Sequence, residues 1–296
     1  MILGFSFAVI VSILFAVYAI PRKYSQQNVI LYTMWMGIAY FLGSLVVTAL
    51  MWGGGVREME DLASPYHLIT AARGFIWVLG MAAYNLAIDK IGLARFNQWK
   101  NIQGPIGSLL MLLFLAEIVG AKVIWLLIGM TAMFVSAFLF QVKIENTDKK
   151  NSIKGVTYAI FAGVCFGVAA LLNKIVSDEG FLLTQLLYHS ASLVFFSAIM
   201  YLSIGNQMKD LIHIDRSIWL PIVSGGMFLV ATVLLILAYG LIAGPVLWSI
   251  TQLNAAWTIL IGIFVFREIE VKTYWKRLVF GFAAASLAIM FLFFAL

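Results

Sequence analysis

Residues Gly4–Lys23 read GFSFAVIVSILFAVYAIPRK, and Gly155–Lys174 read GVTYAIFAGVCFGVAALLNK. Slid by 151 positions, Gly4 falls on Gly155, Ala8 on Ala159, Phe15 on Phe166, Val17 on Val168, Ala19 on Ala170 and Lys23 on Lys174. The register continues without gaps: Leu31 and Thr33 fall on Leu182 and Thr184, and Glu117 falls on Glu268. Each copy carries five apolar stretches. An odd number of spans sends the second copy into the membrane in the opposite sense to the first. The expected fold is an all-α integral membrane protein with ten transmembrane helices in two inverted five-helix repeats. Residues 1–141 form the first repeat, 142–154 a polar connecting loop and 155–296 the second repeat.

Composition agrees. The 296 residues are 63% hydrophobic and 11% charged, with a mean hydropathy of +1.01. That much apolar surface makes lipid the solvent. A spanning helix needs about 20 apolar residues, so ten use roughly 200 and leave no room for a soluble domain. Spans are expected at about 2–20, 29–52, 66–88, 93–115, 119–141, 155–177, 181–204, 217–240, 245–266 and 278–295, with boundaries good to a few residues. The lone Cys165 excludes an internal disulfide. The first apolar stretch has no charged leader and runs straight into Pro21-Arg22-Lys23, so it reads as a retained span. The net charge of +6 reads as membrane topology, not as a nucleic-acid surface. Fourteen Lys and Arg fall in the odd-numbered connections and three (Arg57, Lys122, Lys174) in the even ones. The positive-inside rule then puts the odd connections in the cytoplasm and both termini outside the cell membrane.

Polar side chains inside spans need a reason, because a charge at the hydrocarbon centre costs about 2.5–3.5 kcal/mol on insertion scales. Span 4 is the anomaly. Its Asn97, Lys100, Asn101, Gly104 and Ser108 recur at steps of three and four, the spacing of one helix face. Pro105 is expected to kink that helix. At the repeat offset, span 9 offers Trp248, Thr251 and Gln252. Arg73, Trp77 and Tyr84 share a face of span 3, and Gln185, Tyr188, His189 and Ser192 a face of span 7; Trp35 lies in span 2. The candidate solute-binding residues are therefore Trp35, Arg73, Trp77, Tyr84, Asn97, Lys100, Asn101, Gln185, Tyr188, His189, Trp248 and Gln252. Each has a plainer reading: Lys100 can snorkel or pair with Asp89, His189 can be an interhelical hydrogen-bonder, and the Gly163-x-x-x-Gly167 pair can be internal helix packing. No Asp or Glu falls in the middle of a span, so nothing obliges proton coupling.

Three stretches carry a resemblance to a known family. They are Phe15 through Pro21 and Lys23, followed by Trp35; Gly74, Trp77 and Gly80 with Ile91-Gly92-Leu93 and Trp99; and Leu253-Asn254 through Phe266-Arg267-Glu268. The chain resembles the ten-span drug/metabolite transporter superfamily, an EamA-like group, and within it the glucose/ribose porters and rhamnose transporters. Met81 stands where that group has Asn, and Arg95 and Lys100 add charge where sugar porters have little. The resemblance implies a secondary transporter or facilitator for a sugar or polyol, working by alternating access. Lys100 and Arg73 point instead to a carrier or exporter of a small anion, such as an organic acid, an amino acid or a phosphorylated compound. A non-transport scaffold subunit is the third reading. Enzymatic chemistry is not expected. The sequence holds no metal-ligand spacing and no nucleophile elbow, so no catalytic residue, metal or cofactor is assigned. The partners expected are a small-molecule solute and the lipid bilayer, with no nucleic acid, for a monomer or homodimer.

Overall fold

A computed structural model of the chain describes residues 2–53, 64–118, 120–140, 149–179, 182–204, 216–267 and 270–296. Helices α1 (Ile2–Val17) and α2 (Ile20–Tyr24) form span 1, α3 (Val29–Gly53) span 2 and α4 (Tyr66–Ile91) span 3. Span 4 is two helices, α5 (Leu93–Lys100) and α6 (Gln103–Leu115), and span 5 is α7 (Ala121–Leu139). The second half repeats this order with α8 (Lys149–Asp178), α9 (Leu182–Ser203), α10 (Trp219–Tyr239), the pair α11 (Gly244–Thr251) and α12 (Asn254–Phe264), and α13 (Val271–Phe294). Among the described residues, nine helical stretches are long and apolar enough to cross a membrane. Span 4 makes the tenth from its short apolar α6 and its polar α5. Two boundaries differ from the sequence reading. Helix α8 begins at Lys149, inside the expected connecting loop, and α13 begins at Val271 rather than 278.

The most extensive contacts run between the two halves. Span 3 packs on span 6 and span 8 on span 1; span 4 on 6 and span 9 on 1; span 3 on 7 and span 8 on 2. Spans 2 and 7, 4 and 9, and 5 and 10 pair with their own counterparts. Shifting every span by five returns the same set, as a twofold relation between two five-helix halves requires.

The backbone keeps the same register. Span 4 breaks at Asn101–Ile102 and span 9 at Gln252–Leu253, the same place at the 151-residue offset. Across the first break, Ile102 N donates to Trp99 O and Gly104 N to Asn101 O; across the second, Leu253 N donates to Ile250 O and Ala255 N to Gln252 O. These tight i→i+3 turns stand in equivalent positions. Such 3₁₀ turns inside a helix often mark hinges. The kink expected from Pro105 falls at Asn101, the residue four back whose carbonyl Pro105, lacking an N–H, cannot bond. Pro105 itself occupies the first turn of α6, where its missing N–H leaves no intrahelical bond unmade. Lys100 thus ends α5 and Asn101 lies in the break, instead of sharing one continuous helix face with Ser108 on α6. Ala116 (φ 49°) and Arg267 (φ 52°), the two non-glycine residues with positive φ among those described, also stand 151 apart. They follow α6 and the C-cap of α12, where an αL residue stops a helix. Gly92 (φ 76°) makes the turn from α4 into α5.

Small residues let span 6 approach the first break. A Cβ on Gly163 would lie 2.6 Å from Lys100 O and from Ile102 Cγ2, and one on Gly167 would lie 3.2 Å from Gln103 O. The Gly163–Gly167 pair is thus an internal contact. Its counterparts Ser12 and Ala16 are small as well, on the helix that packs against α11 and α12. Replacing Gly163 by Ala is expected to cost about 1–3 kcal/mol by overpacking against backbone. Lipid-facing Gly226, with open space around its Cα, is expected to gain about 0.5–1 kcal/mol as Ala from helix propensity. Thermal unfolding of the two variants in neutral lipid nanodiscs checks the opposite signs.

Candidate functional site

The two breaks meet. Helix α5 packs on α12 and α6 on α11, so spans 4 and 9 cross where each is interrupted. Gln252 Nε2 donates to Trp248 O at the end of α11 (2.9 Å), while its Oε1 accepts from Gln103 Nε2 (3.0 Å). Asn254 Nδ2 donates to Thr251 O (2.8 Å), while its Oδ1 accepts from Lys100 Nζ (3.4 Å). Trp248 Nε1 donates to Gln103 O (2.9 Å). Ser108 and Ser249 join hydroxyls at 2.9 Å, and Ser108 also donates to Pro245 O. Every one of these groups is buried.

Beside the crossing lies a narrow, half-open cleft with a cavity volume of about 50 Å³. Phe15 and Tyr18 of span 1, Arg73 and Trp77 of span 3, and Lys100 and Gln103 of span 4 line it from the first half. Phe166, Ala169, Ala170 and Asn173 of span 6, Phe228, Thr232 and Leu235 of span 8, and Trp248 of span 9 line it from the second. The contributing spans 1, 3 and 4 are the counterparts of 6, 8 and 9. Phe15 with Phe166, Tyr18 with Ala169, and Trp77 with Phe228 are repeat-related pairs. The cleft therefore straddles the relation between the halves. No described carboxylate lines it.

Of the twelve residues singled out from sequence, Arg73, Trp77, Lys100 and Trp248 line this cleft. His189 stands behind Arg73: its Nδ1 is 3.2 Å from Arg73 Nη2 and 3.2 Å from the Tyr40 hydroxyl, and its ring meets Trp77 edge-on. Asn101 and Gln252 face a separate, smaller cavity with Pro105, Met130 and Met133, where both amide atoms of Asn101 lack a partner among the described residues. Tyr84 is buried in an aromatic cluster with Tyr18 and Phe96. Gln185 bonds Ser177 Oγ (3.2 Å), and Tyr188 stacks on His67 at 4.4 Å. Trp35 is half-buried on α3, away from the cleft lining. The side chain of Asn97 lies outside the described residues. Asp89, a candidate partner for Lys100, is instead bound by Arg22 at 2.6 Å. Sequence reasoning passed over Gln103, Asn173 and the rings of Phe15, Tyr18, Phe166 and Phe228. The available signal was the repeat itself, since both members of a matched aromatic pair face the axis.

A second polar cluster lies at one end of these spans. Lys174 Nζ pairs with Glu117 Oε1 (2.8 Å) and with Asp178, and donates to Tyr239 O. Glu117 Oε2 accepts from Gly244 N (2.8 Å), the first residue of α11. A carboxylate at a helix N-terminus satisfies a free N–H and complements the helix dipole. One lysine–glutamate pair thereby ties together span 6, the end of span 4 and the start of span 9. The left-handed turn at Ala116 immediately precedes Glu117 in the chain.

Comparison with known proteins supports the fold alone. No family model and no curated protein matches the sequence. A solved crystal structure of a protein overlays with a TM-score of 0.68 at 14% identity, covering 98% of this chain and 96% of the other.

Removing Glu117 as Ala is expected to cost about 1–3 kcal/mol, because Lys174 and the α11 N-terminus both lose a charged partner. Lys174→Met on top of it is expected to cost less than additively, with a coupling of about 0.5–3 kcal/mol. A double-mutant cycle read by thermal unfolding checks this; additive effects would show that the two side chains do not interact.

Proposed function

We propose that the protein is a solute carrier of the drug/metabolite transporter type, moving a small polar metabolite by alternating access between two inverted five-helix halves. The observation that carries this is the cleft shared by spans 1, 3, 4 and their counterparts 6, 8, 9, set beside two matched helix breaks. Discontinuous helices crossing beside a cavity between repeats are the usual surroundings of a solute site in such carriers. Each break is a tight turn that can absorb a change of angle without exposing backbone groups to lipid. Rocking one half on the other about these turns would open the cleft to alternate sides.

The sugar or polyol implied by the resemblance draws support from the faces of Trp77 and Trp248 and from the amides of Gln103 and Asn173, since rings cover apolar sugar faces while amides serve hydroxyls. The two cations of the lining can donate to hydroxyls, but such a solute leaves their charge unbalanced. The orientation with both termini outside rests on the Lys and Arg distribution.

Proteoliposome counterflow tests the carrier reading. Saturable exchange is expected, with Gln103→Ala and Trp248→Ala lowering it by about tenfold, the loss of roughly 1.4 kcal/mol of solute contact. A scaffold subunit would exchange no solute from any panel of sugars, polyols or anions. A terminal cysteine in a Cys165→Ala background should react with an impermeant maleimide from outside the cell; labelling only after lysis would reverse the orientation.

A further inference from the structure

Two cations, Arg73 and Lys100, lie within spans and line the cleft. Each is 4% exposed. Among the described residues neither has an ion pair. The carboxylates that could serve lie at helix ends and are taken: Asp89 by Arg22, Glu117 and Asp178 by Lys174.

Arg73 is held by a group that leaves its charge intact. A guanidinium only donates, so His189 Nδ1 must be the acceptor, and the imidazole is neutral with its proton on Nε2. The Tyr40 hydroxyl oxygen lies 3.2 Å from the same nitrogen. Arg73 Nη1 is buried with no hydrogen-bond partner among the described residues. Lys100 has one long bond, 3.4 Å, to the Asn254 amide oxygen. Buried cations are ordinarily paired, and an unpaired one at a lined cavity marks a binding function. At the repeat offset, Ser224 stands for Arg73 and Thr251 for Lys100. Charge thus lies on one side of the axis, while the rings of Phe15, Phe166, Trp77 and Phe228 match across it.

We infer that the solute is a small organic anion, its carboxylate or phosphate bound by Arg73 and Lys100 and its apolar body held among those rings. This rests on the cleft being the solute site proposed above. A forked guanidinium and an ammonium together suit an oxyanion, and the one-sided charge suits a molecule with a single charged end.

The test uses purified full-length protein in phosphatidylcholine nanodiscs at constant ionic strength. Thermal stability is followed against benzoate, phenyl phosphate, inorganic phosphate, benzyl alcohol, glucose and xylitol. Bound solute stabilises the folded state by mass action. Benzoate or phenyl phosphate is expected to raise the melting temperature saturably, and the larger response tells carboxylate from phosphate. Benzyl alcohol, with the ring and no charge, should do nothing. Arg73→Gln and Lys100→Gln should each weaken the effective anion at least tenfold, with Arg73→Lys losing less. The wild-type comparison of benzoate or phenyl phosphate with benzyl alcohol decides the matter even if a variant fails to fold. The inference is overturned if benzyl alcohol matches the anions, if glucose or xylitol stabilises and no anion does, if both Gln variants keep full affinity, or if no anion has any effect. Counterflow separates the two proposals. An anion that binds and is not exchanged removes the carrier reading alone, and a neutral solute exchanged without anion binding removes the anion reading alone.

Discussion

A helix interrupted within the membrane leaves carbonyls that lipid cannot satisfy. At the second break of this protein two amide side chains solve that problem, and in doing so they join the halves. Gln252 and Asn254 each donate to a carbonyl freed in their own span and accept from a residue at the break of the other span, Gln103 and Lys100. The same two side chains thus satisfy the second break and bind it to the first. The crossing of spans 4 and 9 follows, and with it the position of the cleft beside them.

The rest of the architecture serves that crossing. Gly163 and Gly167 bring span 6 to within backbone contact of the first break, and Ser12 and Ala16 bring span 1 to the second. Ser12 also takes the indole N–H of Trp257 at 2.9 Å. The Lys174–Glu117 pair fixes where α11 begins. Against this matched backbone the side chains differ at a few places, Arg73 against Ser224 and Lys100 against Thr251 above all. A symmetric frame permits two equivalent arrangements of the halves; under the proposed function, the unmatched side chains would choose the solute.

Much of the fold was legible in the sequence because lipid imposes a coarse and demanding pattern. Length and hydropathy fix the spans, and the constant 151-residue register exposes the two halves. The second break was not legible. The turns at Ile102 and Leu253 keep the helical hand, so the three-and-four spacing from Asn97 to Ser108 runs on through the interruption. Pro105 marks the first break through the Asn101 carbonyl four residues back, but its counterpart Ala256 gives no sign of the second. Of the site, Arg73, Trp77, Lys100 and Trp248 were recognisable as polar or amphipathic groups with no place in lipid. Trp35, Tyr84, Gln185 and Tyr188 carried the same signal but turn toward other partners, because periodicity groups residues on a face without saying what that face meets. Phe15, Phe166 and Phe228 passed as ordinary apolar packing. Pairing of Glu117 with Gly244 spans 127 positions, a distance over which spacing says nothing.

The central claim is that spans 4 and 9 cross at their breaks and that transport needs movement there. Ser108 and Ser249, whose hydroxyl oxygens lie 2.9 Å apart, allow a direct measurement. With Cys165, the protein's one cysteine, replaced by Ala, the pair Ser108→Cys and Ser249→Cys is introduced and oxidised in proteoliposomes. The account predicts a disulfide across the two halves that stops solute exchange, with exchange restored on reduction. Failure of the pair to form a disulfide would contradict the crossing, and undiminished exchange in the cross-linked protein would contradict the hinge.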